Sequence, residues 1–151
     1  MVSEFYIGID PGKDGAMAII DNAERVTIFP YKDAGEVAYI NVCYQLKGKS
    51  KCVLEEVHSM PGNGNKSMFS FGENYGFIKG ILQSFGVPYE TVKPQRWKKE
   101  FNVTADKKTS IKAAHRLFPD VDLRRNERCK KEHDGMAEAL LLAEWARRHM
   151  K

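Results

Sequence analysis

The stretch Phe5-Tyr6-Ile7-Gly8-Ile9-Asp10-Pro11-Gly12 constrains this chain more than any other. Mostly β-favouring residues lead into a carboxylate, and Pro11 and Gly12 stop the strand directly behind it. Such a strand runs through a core and delivers Asp10 to the edge of a sheet. A charge desolvated there costs several kcal/mol unless it is paired, hydrogen-bonded or bound to a cation. Asp-Pro-Gly also serves as a plain turn in which the aspartate caps its own backbone. The choice between the two depends on whether other acids converge on the same place.

Downstream, residues 15–21 and 25–29 read as two more strands joined by Asp21-Asn22-Ala23-Glu24, which gives an antiparallel meander of three. Residues 34–46 carry Val37, Ile40, Val42, Tyr44 and Leu46 at helical spacing and end at Gly48. Cys52-Val53-Leu54-Glu55-Glu56-Val57 reads as a fourth strand, buried on both faces. Its period-two alternation sends Glu55 and Glu56 to opposite faces, so only one can share a site with Asp10. Residues 59–66, ending at Lys66, form a loop rich in residues that permit close backbone approach to a ligand.

A long amphipathic helix is expected over 67–85, with Met68, Phe71, Tyr75, Ile78, Leu82 and Phe85 on one stripe. Gly72, Gly76 and Gly80 recur on it every four residues. Each costs about 1 kcal/mol against alanine, which implies a close contact on that face with the sheet or with a second subunit. Residues 87–92 form a fifth strand, and Pro94 opens a short basic helix carrying Lys98 and Lys99.

A helix over 105–118 places Ile111, Ala114, His115, Leu117 and Phe118 inward and Lys107, Lys108 and Lys112 outward. Residues 120–131 hold Arg124, Arg125, Arg128, Lys130 and Lys131 and read as an exposed, mobile basic loop. In the last helix, from 134 to 150, Asp134, Glu138, Leu141 and Trp145 share one stripe. Both acids therefore lie in line with core residues, where solvated acids would not be placed.

Acids at the end of the first strand, in the fourth strand and on the last helix repel one another unless a divalent cation neutralises them. The three cysteines, Cys43, Cys52 and Cys129, include no C-x-x-C pair, which speaks against a disulfide framework and a zinc site. Oxygen donors alone suit Mg²⁺ or Mn²⁺, and such a site can activate water against a phosphodiester. A net charge of +4, with several acids gathered in one place, leaves the remaining surface basic enough for a nucleic-acid partner. No stretch has the length of a membrane span or the pattern of a secretory leader, so a single cytoplasmic or nuclear domain is expected.

Ile7-Gly8-Ile9-Asp10-Pro11-Gly12, Val53-Leu54-Glu55-Glu56-Val57 and Asp134-Gly135-Met136-Ala137-Glu138-Ala139-Leu140 together resemble the three acidic motifs of RuvC-like Holliday junction resolvases. Phe71-Gly72-Glu73-Asn74-Tyr75-Gly76 and residues 94–101 resemble the phage-type branch of that family, and the resemblance spans nearly the whole chain. It implies a ribonuclease H-like α/β fold: one nuclease domain over 1–151, with a five-stranded mixed sheet of order 3-2-1-4-5 flanked by helices. It further implies a homodimer that nicks four-way DNA junctions with two Mg²⁺ ions, Mn²⁺ substituting, in a bacterial or phage-infected cell.

On the matching positions, Asp10, Glu55 rather than Glu56, and the acids Asp134 and Glu138 would hold the metals. The bacterial pattern has two last-helix aspartates three residues apart, whereas Asp134 and Glu138 are four apart, so the final ligand stays open between Glu138 and His133. Lys98 or Lys99 and Lys107 or Lys108 fall near basic positions that neutralise the phosphate backbone in the family, and Lys66, Arg124, Arg125, Arg128 and Lys130 complete the DNA-binding candidates. His58 stands where bacterial relatives carry an aromatic residue, which passes a stacking role to Phe69 or another loop residue. Residues 8–15 also resemble the phosphate loop of actin-like and sugar-kinase ATPases, which need two lobes. A non-catalytic junction-binding module is the third reading, disfavoured by the inward acids.

Overall fold

The computed structural model describes residues 4–58, 62 and 64–151, so the loop expected over 59–66 lies partly outside the described residues. Three strands open the chain, β1 (Phe5–Asp10), β2 (Ala16–Asp21) and β3 (Val26–Pro30), followed by α1 (Tyr31–Leu46) and β4 (Ser50–Glu55). Then come α2 (Asn65–Ser84), β5 (Tyr89–Val92), α3 (Pro94–Glu100), α4 (Lys107–Leu117) and α5 (Asp134–His149). The sheet order is β3-β2-β1-β4-β5. β1 pairs antiparallel with β2, Asp10 opposite Ala16, and parallel with β4, Ile9 beside Leu54. That parallel register brings Asp10 and Glu55 to the same end of the two central strands.

Alternation along β1 and β4 divides the core. Ile7, Ile9, Cys52 and Leu54 pack with Tyr39 and Val42 of α1 and with Ile78 and Leu82 of α2. On the opposite face Tyr6 and Val53 meet Trp97, Leu141 and Trp145. Ala16, Ala18 and Ile20 meet Leu140 and Ala143 there. α5 is buried nearly all round, with Leu140, Leu141 and Leu142 each at 0% exposure, a burial of roughly 1.5–3 kcal/mol per side chain.

Gly8 lets α5 come so near. A Cβ on it would lie 2.1 Å from the Ala143 nitrogen and 2.3 Å from the Ala139 oxygen, so only glycine fits where strand and helix backbones cross. Asp10 is two residues on from Gly8 and therefore shares its face, toward α5. One turn nearer the N-terminus of α5 from that crossing are Asp134 and Glu138.

The structure corrects several expectations. β4 ends at Glu55 rather than Val57, because its partner β5 stops at Val92 and Pro94 cannot extend the ladder. Helix α1 begins at Tyr31 rather than residue 34 and is interrupted at Gly35, whose φ of 74° and ψ of −177° are non-helical. Residues 120–131 are pinned into the fold rather than left as a free loop. Leu123 is fully buried, Arg124 bridges Glu132, and the His133 amide donates to the Leu123 carbonyl at 2.7 Å. His115 is half-buried and paired with the Glu132 carboxylate. No helix among the described residues is long and apolar enough to cross a membrane.

Candidate active site

The C-terminal ends of β1 and β4 supply Asp10 and Glu55, and the first two turns of α5 supply Asp134 and Glu138. Asp10 is held well above the usual carboxylate range, first by loss of water and then by the negative charges of Glu138, Glu55 and Asp134. Burial pushes Glu138 up to about 7, with Glu55 and Asp134 adding to the shift and Lys98 and Lys107 opposing it. Burial also raises Glu55, against a hydrogen bond from Trp97 and the charge of Lys98. These four acids therefore interact, although they come from positions as far apart as 10 and 138.

Only partial compensation comes from the chain. Lys98 of α3 places its Nζ 3.8 Å from Glu138 Oε1, and Lys107 of α4 places its own 3.8 Å from Asp134 Oδ2. Two loosely engaged ammonium groups thus stand against four carboxylates. Among the described residues, no three acid, imidazole or thiol groups come together closely enough to hold an ion as they stand. The donor chemistry nonetheless fits a hard divalent cation: every donor is a carboxylate oxygen, and the acids are desolvated beyond what the lysines offset.

The turn after Asp10 is anchored from α2. The Gly12 amide donates to Asn74 Oδ1 at 2.8 Å, and Gly12, at φ 107°, lies where an added Cβ would be 3.0 Å from the Phe71 ring. Gly15 closes the turn so tightly that a Cβ there would meet the Asp10 carbonyl oxygen at 1.8 Å. Asn74 is buried and had no role assigned from the sequence; a polar residue on the buried side of an apolar helix stripe was the available signal. Trp97 was missed in the same way, and its indole N–H donates to Glu55 Oε2 at 2.8 Å.

His133 caps α5, its Nδ1 accepting from the Met136 amide at 3.2 Å. Lys66, Lys99, Lys108, Arg128 and Lys130 are all exposed at the surface. Arg124 and Arg125 are not free cations. The first is bound to Asp122 through Nε and Nη2 at 3.0 Å, and the second lies 2.9 Å from Asp33. Phe69 is 71% exposed on α2, and His58 is exposed beyond β4. A Cβ at Gly72, Gly76 or Gly80 would meet nothing within 4 Å, so this glycine face looks away from the sheet.

Neither a family model nor a curated protein sequence matches the chain. Solved structures do match. RuvC of T. thermophilus in complex with a Holliday junction substrate aligns with a TM-score of 0.64 at 15% identity, over 95% of this chain and 94% of that one. A further structure of Thermus thermophilus RuvC gives 0.62 at 16% identity, over 95% of each chain. The fold is that of these RuvC structures, the ribonuclease H-like arrangement that the three acidic motifs led us to expect.

Proposed function

We propose that this chain is a divalent-metal-dependent, structure-selective DNA endonuclease that nicks phosphodiester bonds at four-way junctions in a bacterial or phage-infected cell. The observation that carries the reading is the convergence of Asp10, Glu55, Asp134 and Glu138 at one end of the central strands, with too little positive charge to neutralise them. Bound there, two Mg²⁺ or Mn²⁺ ions supply activation of water and stabilisation of the leaving oxygen. The four carboxylates would hold them, and Glu138 is the better final ligand because His133 already spends Nδ1 on its helix cap. Lys98 and Lys107, whose pairing with the acids a bound cation would loosen, would be available to the phosphates, as would the exposed Lys66, Lys99 and Lys108.

A phosphate-loop ATPase fits less well, since the Gly12 amide that such a loop would offer to a phosphate is already bonded to Asn74. Incubating the protein with labelled four-way junctions, forks and flaps, with and without Mg²⁺ and ATP, separates the readings. Nicks that require the cation are expected. ATP hydrolysis, or junction retention without cleavage, would overturn the proposal.

Two strands of a four-way junction must be cut symmetrically, so two copies of this site are needed, related by a two-fold axis. The open glycine face of α2 is the surface on which a second backbone could approach. Sedimentation equilibrium at micromolar protein should give a dimer mass. Gly76→Leu should shift it toward monomer and suppress paired nicking more than single nicking. A monomer at every concentration, with and without junction, would rule the dimer out.

The segment from Arg124 to Lys131 is assigned to phosphate contact beside the site. Neutralising Arg124, Arg125 and Arg128 together should weaken junction binding and lower its log–log salt slope by up to about one unit for each phosphate left without its cation. Because Arg124 and Arg125 are engaged with Asp122 and Asp33, most of that weakening should come from Arg128, with Lys130→Gln adding to it. Affinity and slope that do not move would leave the segment a purely structural role.

A further inference from the structure

We infer that Trp97 is a positioning residue for the Glu55 carboxylate, committing Oε2 to its indole N–H and leaving Oε1 as the oxygen that would take a cation. The inference rests on the reading of Glu55 as a metal ligand given above. Trp97 is fully buried on α3, in the apolar cluster that also holds Tyr6, Val53, Val92, Phe101 and Leu141. A buried indole needs a partner for its single N–H, and the partner it has is Glu55 Oε2, 2.8 Å away and 42 positions distant in sequence. Indole nitrogen only donates, so the bond cannot invert and it favours the ionised carboxylate that a cation requires.

The next residue on the same helix behaves differently. Lys98 is one-third exposed and reaches Glu138 only at 3.8 Å, a contact that a flexible stem can leave. α3 therefore brings to the site one fixed neutral donor and one displaceable charge. A carboxylate ligand held through its second oxygen keeps one orientation while the metal is absent, and loss of such an outer partner typically weakens metal binding about 10–100-fold.

The test compares Trp97→Phe, which keeps an apolar ring and loses the donor, with Trp145→Phe, a loss of the same size in the same apolar cluster. Mn²⁺ binding is measured by calorimetry without DNA, and junction nicking is measured across a Mg²⁺ series. Trp97→Phe should weaken Mn²⁺ binding about 10–100-fold and move the Mg²⁺ midpoint by the same factor, with near wild-type kcat once Mg²⁺ saturates. Trp145→Phe should leave both midpoints in place, and Trp97→Phe should add no further loss in a Glu55→Gln background. If Trp97→Phe does not fold, the Trp145→Phe protein has Trp97 as its sole tryptophan. Its emission should then shift on Mg²⁺ addition with the midpoint of metal binding, and the shift should vanish with Glu55→Gln. Wild-type Mn²⁺ affinity in Trp97→Phe, equal weakening by both tryptophan substitutions, or an emission indifferent to Mg²⁺ would overturn the positioning role while leaving the nuclease reading intact. A wild-type protein that neither binds Mn²⁺ nor nicks the junction would instead overturn the reading of the site, and this role with it.

Discussion

Asp10→Asn is expected to reduce nicking of a four-way junction to the level seen without divalent cation, while junction binding stays intact or strengthens. The substitution preserves shape and removes the charge on which Glu55, Asp134 and Glu138 converge, so the site loses its hold on a cation. The basic residues at the surface are untouched, and one fewer negative charge faces the phosphates. Denaturing gels for cleavage and mobility shifts in Ca²⁺ for binding read the two effects separately. Glu55→Gln should follow Asp10→Asn, since Glu55 ends β4 beside the end of β1. Glu56→Gln should retain turnover, because Glu56 lies past the strand and lines an apolar pocket with Val57, Phe71 and Pro94. Wild-type turnover by Asp10→Asn in Mg²⁺ would sink the assignment, and equal losses at Glu55 and Glu56 would mean that the strand's faces are misassigned.

The parts of this fold that are legible in the sequence are those written in local pattern. The strand leading to Asp10, the meander that follows, and the inward acids of α5 are all visible as periodicity plus a stop signal. What local pattern cannot carry is where a neighbour ends. Val57 continues the apolar run of β4, yet the ladder stops at Glu55 because β5 has already stopped at Val92. Gly8 reads only as a glycine in a strand, and its need to admit the α5 backbone follows from a crossing of two elements 130 or more positions apart. Basic density made residues 120–131 look solvated. Their pinning depends on Asp33, which is 92 positions from Arg125 in sequence, and on Leu123, a lone apolar residue whose burial only the tertiary structure decides. The supports of the site are non-local in the same sense. Trp97 to Glu55 and Asn74 to Gly12 join residues 42 and 62 positions apart, and neither pairing leaves a trace in composition or spacing.

Without divalent cation, the protein should lose stability as pH rises from about 4.5 to about 7, and acid-neutralising substitutions should reverse that loss. In the fold, Asp10, Glu55 and Glu138 keep their protons to higher pH than the unfolded chain does. Across that window the native state binds more protons than the unfolded state, so stability decreases with rising pH, the reverse of the behaviour of salt-bridged carboxylates. Glu138 moves from an ordinary 4.5 to about 7, which penalises its ionised form in the fold by on the order of 3 kcal/mol. Removing the Lys98 ion pair offsets part of what Glu138→Gln recovers, yet a chain of this length gains ~2–4 °C in Tm per kcal/mol, so a rise of several degrees remains. Asp10→Asn should also raise Tm in EDTA at about pH 8, and the gain from Glu138→Gln should shrink toward pH 5, where Glu138 is protonated anyway. Added Mg²⁺ should raise the wild-type Tm, because a ligand that binds only the folded state stabilises it, and should do much less for either variant. Scanning calorimetry at the two pH values, in EDTA and in Mg²⁺, checks all of this. Variants that melt below wild type at pH 8 in EDTA would mean that the chain itself already balances these charges, and the case for a cation between them would lose its physical basis.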